Sequence, residues 1–82
     1  MRLSRRTIAN LKYCWDTDRE FHSLLWGILA YYCGRVPRHP EIPVRRLSRR
    51  AMAALGRVCS EVRTAEDAEA VAKLVGLIEE DV

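Results

Sequence analysis

The feature that most restricts the fold is an uncharged run, Phe21 to Gly34, in an otherwise charge-rich chain. Its centre, Leu24-Leu25-Trp26-Gly27-Ile28-Leu29-Ala30-Tyr31-Tyr32-Cys33, holds one of the two tryptophans and two of the three tyrosines. Apolar residues fall on every side of a helix built from this stretch. Such a helix is either the buried middle of a bundle or a membrane span. Crossing a bilayer takes roughly 20 apolar residues, so this run is too short to be a span. It predicts a central buried helix on which the others pack.

The flanks of the run carry helix signals. Thr17-Asp18-Arg19-Glu20 has the capping-box pattern, with Thr17 as the cap and Glu20 reaching back. The second helix then covers about Asp18 to Cys33, and Gly34 suits the left-handed position just past its end. Gly27 costs about 1 kcal/mol against alanine inside a helix, and the expected compensation is close approach of a neighbouring helix.

A first helix opens at the cap Ser4, carries Ile8, Leu11 and Trp15 as its inner stripe with Cys14 beside them, and ends near Asp16. Pro37, Pro40 and Pro43 recur every third residue between Arg35 and Pro43, which predicts a stiff connector that re-aims the chain. The third helix is expected over about Val44 to Val62, with Val44, Leu47, Ala51, Leu55, Val58 and Val62 inward and Ser48 as a competing cap. Thr64 caps the fourth, whose inner face is Ala68, Val71, Ala72, Val75 and Ile78. Glu79, Glu80 and Asp81 oppose the dipole at its C-terminus and should fray its last turn. No stretch alternates as a strand would. The predicted fold is all-α, one domain over residues 1–82: a compact bundle of four helices with a Pro-rich loop between helices 2 and 3.

Three well-separated cysteines, Cys14, Cys33 and Cys59, read as reduced thiols. The first residues, Met1-Arg2-Leu3-Ser4-Arg5-Arg6, lead into no long apolar run, so they are not read as a secretory signal. The expected location is the cytoplasm, away from membranes. Arginine supplies nearly all the positive charge, which suggests a high-GC bacterial or phage genome.

Catalytic motifs are missing from the chain. It has no P-loop, nucleophile elbow, dinucleotide fingerprint or His-Glu-x-x-His. Asp16, Asp18 and Glu20 lack the glycine and distal glutamate of a calcium loop and read as an acidic helix start. Cys14, His22, Cys33, His39 and Cys59 do not fall in the close pairs that zinc folds use. The expectation is a non-enzyme with no metal and no cofactor.

Arginine clustering is the sharpest functional signal. Arg35, Arg38, Arg45, Arg46, Arg49 and Arg50 lie close together in sequence, and Arg46, Arg50 and Arg57 are expected on one line of the third helix. Residues 1–63 carry thirteen Lys/Arg against five Asp/Glu, whereas residues 64–82 carry one lysine against six acids. Guanidinium groups pair with carboxylate or phosphate through two parallel hydrogen bonds, so this cluster fits an acidic partner. The plainer alternatives are a solvated face, salt bridges to Glu41 and Glu61, or neutralisation by the acidic last helix. Tyr31 and Tyr32, beside the basic loop, join the candidate surface, while Trp26 is assigned to the core. Groove readout of DNA is disfavoured, because the helix placed to enter a groove is the acidic fourth one.

These observations predict a small non-catalytic binding protein that regulates or inhibits a larger macromolecular complex by covering an acidic protein surface or protein–nucleic-acid complex. Proteins of this size and composition from phage and mobile elements are often inhibitors, anti-CRISPR proteins among them, and the analogy extends to the class alone. Sequence-nonspecific binding to a DNA or RNA backbone is the alternative. A homodimer is also allowed, because so aromatic a core can extend into a second copy.

Overall fold

The computed structural model describes residues 1–79, and its order begins at the helix caps. Ser4 is extended, and its Oγ accepts the Thr7 amide N–H at 3.1 Å, which starts α1 (Arg5–Thr17). Leu11, Cys14 and Trp15 turn inward from α1, with Ile8 half-buried.

Thr17 does not cap the second helix, as the capping-box reading expected. It is the last residue of α1, and its hydroxyl donates to the Tyr13 carbonyl at 2.7 Å. Asp18 alone is extended between the helices, and its Oδ1 accepts the Phe21 amide N–H at 3.1 Å to open α2 (Arg19–Tyr32). The corner is further fixed by His22. Its ring stacks on Trp15 with centroids 3.7 Å apart, and its Nδ1 lies 3.1 Å from the Trp15 carbonyl oxygen. A carbonyl only accepts, so the Nδ1 position carries the proton.

The all-round burial expected of α2 is not what the fold provides. Phe21, Leu25, Ile28, Leu29 and Ala30 are buried, but Trp26 is 45% exposed and Tyr31 38%. Trp26 is therefore a surface residue and not a core one. The reason lies in the helix contacts: α2 packs on α1 and α4 and barely meets α3 (Arg49–Glu61), whereas α1 touches all the others. The central position belongs to α1 at least as much as to α2.

A left-handed Gly34 (φ +75°) ends α2, with the Arg35 N–H donating to the Ala30 carbonyl at 2.9 Å and the Gly34 N–H to that of Tyr31 at 3.1 Å. The Pro-rich segment then folds back on α2. A Cβ placed on Gly27 would sit 3.2 Å from Pro40 Cγ. The close approach expected at Gly27 is thus made by the loop and not by a helix. His39 holds the loop there, with Nδ1 2.9 Å from the Pro40 carbonyl and its ring edge-on to Tyr31 and Tyr32 at 5.5 and 6.1 Å.

The third helix is shorter than expected. Val44–Arg46 forms a single 3-10 turn, Leu47 is extended, and Ser48 caps α3 by accepting the Ala51 N–H at 3.1 Å. Val44, expected on the inner stripe, is 61% exposed. Ala51, Ala54, Leu55 and Val58 supply the inner face of α3, and Val62 at its end is fully buried. Thr64 opens α4 (Ala65–Val75) by accepting the Asp67 N–H, and Asp67 Oδ2 accepts the Arg63 N–H at 3.1 Å. Gly76 (φ +83°) stops α4, with the Leu77 N–H on the Ala72 carbonyl at 2.9 Å. Ile78 therefore falls beyond the helix and is 40% exposed instead of lying on its inner face. Of the acids expected to fray this end, Glu80 and Asp81 lie outside the described residues.

The result is an all-helical bundle with no strand among the described residues. Its Cα radius of gyration, 11.7 Å, is that of a compact chain of this length. Among the described residues no helix is long and apolar enough to cross a membrane.

Candidate basic groove between α1 and α3

The antiparallel packing of α1 on α3 builds the candidate site. At one end the Arg2 N–H donates to Glu61 Oε1 at 3.0 Å; at the other Arg50 lies over the Tyr13 ring, 4.5 Å from its centroid. Between these ends, α1 presents Arg6, Thr7 and Asn10, and α3 presents Arg49, Arg50 and Arg57. The spacings suit one helix face each: 6, 7 and 10 on α1, and 50, 53, 54 and 57 on α3. Ala53 and Ala54 are too small to fill the space between, which leaves a groove of about 410 Å³.

Among the described residues, four guanidinium groups line this groove and no carboxylate does. Arginine stays protonated throughout the accessible pH range, so the groove is positive under all ordinary conditions. The side chains are exposed, so water and salt screen their mutual repulsion, and an anion bound among them would relieve it further. Tyr13, itself 53% exposed, steadies Arg50 through the face of its ring.

The arginines singled out from the sequence are divided among four places. Arg49, Arg50 and Arg57 meet in the groove. Arg45 and Arg46 belong to the 3-10 turn, where Arg46 lies 3.7 Å from Glu20 in an exposed pair, so Arg46 does not continue the α3 line. Such pairs contribute little stability. Arg38 is exposed in the proline loop, and Arg35 lines a different groove beside Trp26. Tyr31 and Tyr32 form a ring cluster with His39, with Tyr32 packed against the core. They lie outside the α1/α3 groove.

Sequence reasoning missed Arg6, Thr7 and Asn10. Arg6 lies off the apolar stripe of α1, and that position does not say which helix will lie beside it. Only the antiparallel placement of α1 brings it to Arg57. Among the described residues no arginine pairs with an acid of the last helix within 4.0 Å; the one ion pair within that distance is Arg46 with Glu20.

The other reactive groups are dispersed. Burial pushes the Cys14 thiol above its usual range, with Asp18 adding to the shift and Arg50 opposing it. Burial does the same to Cys59, while Cys33 is exposed. Among the described residues no three His, Cys, Asp or Glu side chains converge as a metal site requires. Comparison of the chain with protein-family models, with curated proteins and with solved structures finds no match.

Proposed function

We propose that this chain is a small binding protein that regulates or blocks a larger assembly by docking its α1/α3 face on an acidic surface, in the manner of small phage and mobile-element inhibitors. The observation that carries the reading is the groove lined by Arg6, Arg49, Arg50 and Arg57 with no carboxylate of the described residues beside them. Its other lining residues are Thr7, Asn10 and two alanines, none of which titrates near neutral pH. Such a lining favours holding an anion over proton transfer. Thr7 and Asn10 add uncharged hydrogen-bonding groups between the two arginine ends.

One observation favours a nucleic-acid backbone as a second reading. The groove has no buried aromatic or aliphatic anchor, and protein interfaces usually draw their affinity from such anchors. A phosphate track needs only the charges and donors present.

The test uses Arg50→Glu with Arg57→Glu, and Arg38→Glu with Arg45→Glu as a control outside the groove. Docking on an acidic protein predicts that a partner captured from nuclease-treated lysate of the source cells is lost with the first pair and kept with the second. Capture by both pairs alike refutes the groove as the docking face. Backbone binding predicts retention of generic duplex DNA. Neutralising four phosphates gives a slope near −3.6 in log K against log salt, or about a hundredfold weakening between 50 and 200 mM. Absent or salt-indifferent retention removes that reading.

A further inference from the structure

A second groove lies between α2 and α4, from Ala65 to the residues just past the helix, with a volume of about 460 Å³. Its floor includes Ala68 and Ala72, and its apolar walls include Trp26, Leu77 and Ile78, which are 45%, 38% and 40% exposed. The two left-handed glycines produce it. Gly34 turns the chain so that Arg35 reaches the groove, and Gly76 turns it so that Leu77 and Ile78 do.

Three large apolar side chains left in water around one depression mark an interaction surface. The charges beside them say what kind. Among the described residues the lining carries one cation, Arg35, and one anion, Glu69, and neither has an opposite charge of that set within 4.0 Å. A uniformly acidic or basic partner would satisfy one and repel the other. A surface bearing the same two charges and related by a two-fold axis satisfies both, because a two-fold contact matches each residue i of one copy with j of the other, and j with i. We propose that this groove is where a second copy of the chain docks, with Trp26 of each protomer entering the space over Ala68 and Ala72 of its partner and Arg35 facing the partner's Glu69. The basic α1/α3 groove takes no part, so the proposal is independent of the proposed function.

Sedimentation velocity of the full chain from about 1 µM to 1 mM, the range in which a small interface associates, tests it. The expected result is a concentration-dependent monomer–dimer equilibrium. Trp26→Ala, which keeps the helical circular dichroism of the parent, should weaken the dimer at least tenfold. Arg35→Glu and Glu69→Arg should each weaken it by a similar factor. An equimolar mixture of those two variants, or the chain carrying both changes, should return to within about threefold of the parent, because every facing pair is again of opposite sign. Alkylation of Cys33, which also lines the groove, should slow at concentrations where the dimer forms. A chain that stays monomeric to 1 mM overturns the proposal and leaves the groove to a different partner. A dimer indifferent to Trp26→Ala, or charge variants that do not rescue one another, overturns it equally.

Discussion

Phe21 and Trp26 sit on one helix and look alike in sequence, yet the fold treats them differently, and that difference can be measured. Phe21 is fully buried, so Phe21→Ala loses the transfer energy of a ring and leaves a cavity, a cost of about 3–5 kcal/mol. Trp26 is 45% exposed. Of the roughly 150–250 Å² a tryptophan can bury, about 100 Å² is withdrawn from water here. At about 25 cal/mol per Å² that is at most about 2.5 kcal/mol. Alanine keeps part of the area and gains about 0.5 kcal/mol of helix propensity. No cavity forms, because the site opens to solvent. The net cost of Trp26→Ala is then about 1–1.5 kcal/mol. For a domain of this size, whose whole stability is about 4–12 kcal/mol, the first change threatens folding and the second does not. Urea denaturation followed by circular dichroism, at concentrations low enough to keep the chain monomeric, reads both. With a slope near 1 kcal/mol/M, the midpoint should fall by about 3 M or more for Phe21→Ala and about 1 M for Trp26→Ala. Equal losses, or a greater loss at Trp26, would refute the burial assigned to α2.

Ser48→Ala should destabilise by about 0.5–2 kcal/mol in the same assay, because the Ser48 hydroxyl and not Val44 starts α3. An unchanged midpoint would restore the longer helix. The Asp67 carboxyl is held below its ordinary 3.8, first by the Arg63 N–H, with desolvation opposing and Thr64 assisting. Its folded pKa is depressed, so its contribution is present above the ordinary value and disappears as pH falls through the lower one. The stability gap between parent and Asp67→Asn should therefore narrow as pH falls below about 4, and a gap constant with pH would contradict the contact. Thiol titration of the folded protein should find Cys33 reacting at once and Cys14 only on unfolding, since Cys14 is buried and its thiol shifted upward. Rapid modification of Cys14 in the folded state would show that the core is open there.

The helices were legible because their signals are local. Ser4, Thr64 and Gly34 each act within one turn, and each occupies the capping or stopping position its chemistry suggests. Where two signals competed over a few residues, the pattern alone did not decide. Asp18 took the cap from Thr17 because the joint between α1 and α2 is a single extended residue. Ser48 cut short a periodic stripe that continued correctly on paper through Val44 and Leu47. What stayed illegible was relative placement. Periodicity puts an apolar residue on a face without saying whether another helix will cover that face. Trp26 stayed exposed because α2 barely meets α3, and Arg6 joined Arg57 because α1 runs antiparallel to α3. Both depend on contacts between residues far apart in the chain.

The basic and apolar grooves lie between different helix pairs and have no lining residue in common. A chain joined to its copy along α2 and α4 would thus keep two arginine tracks uncovered and become a bivalent ligand. On a long or repetitive acidic target, the second attachment is governed by effective concentration, which can raise avidity by about 10²–10⁴ with no new kind of contact. A modest grip by each track would then suffice for lasting occupancy.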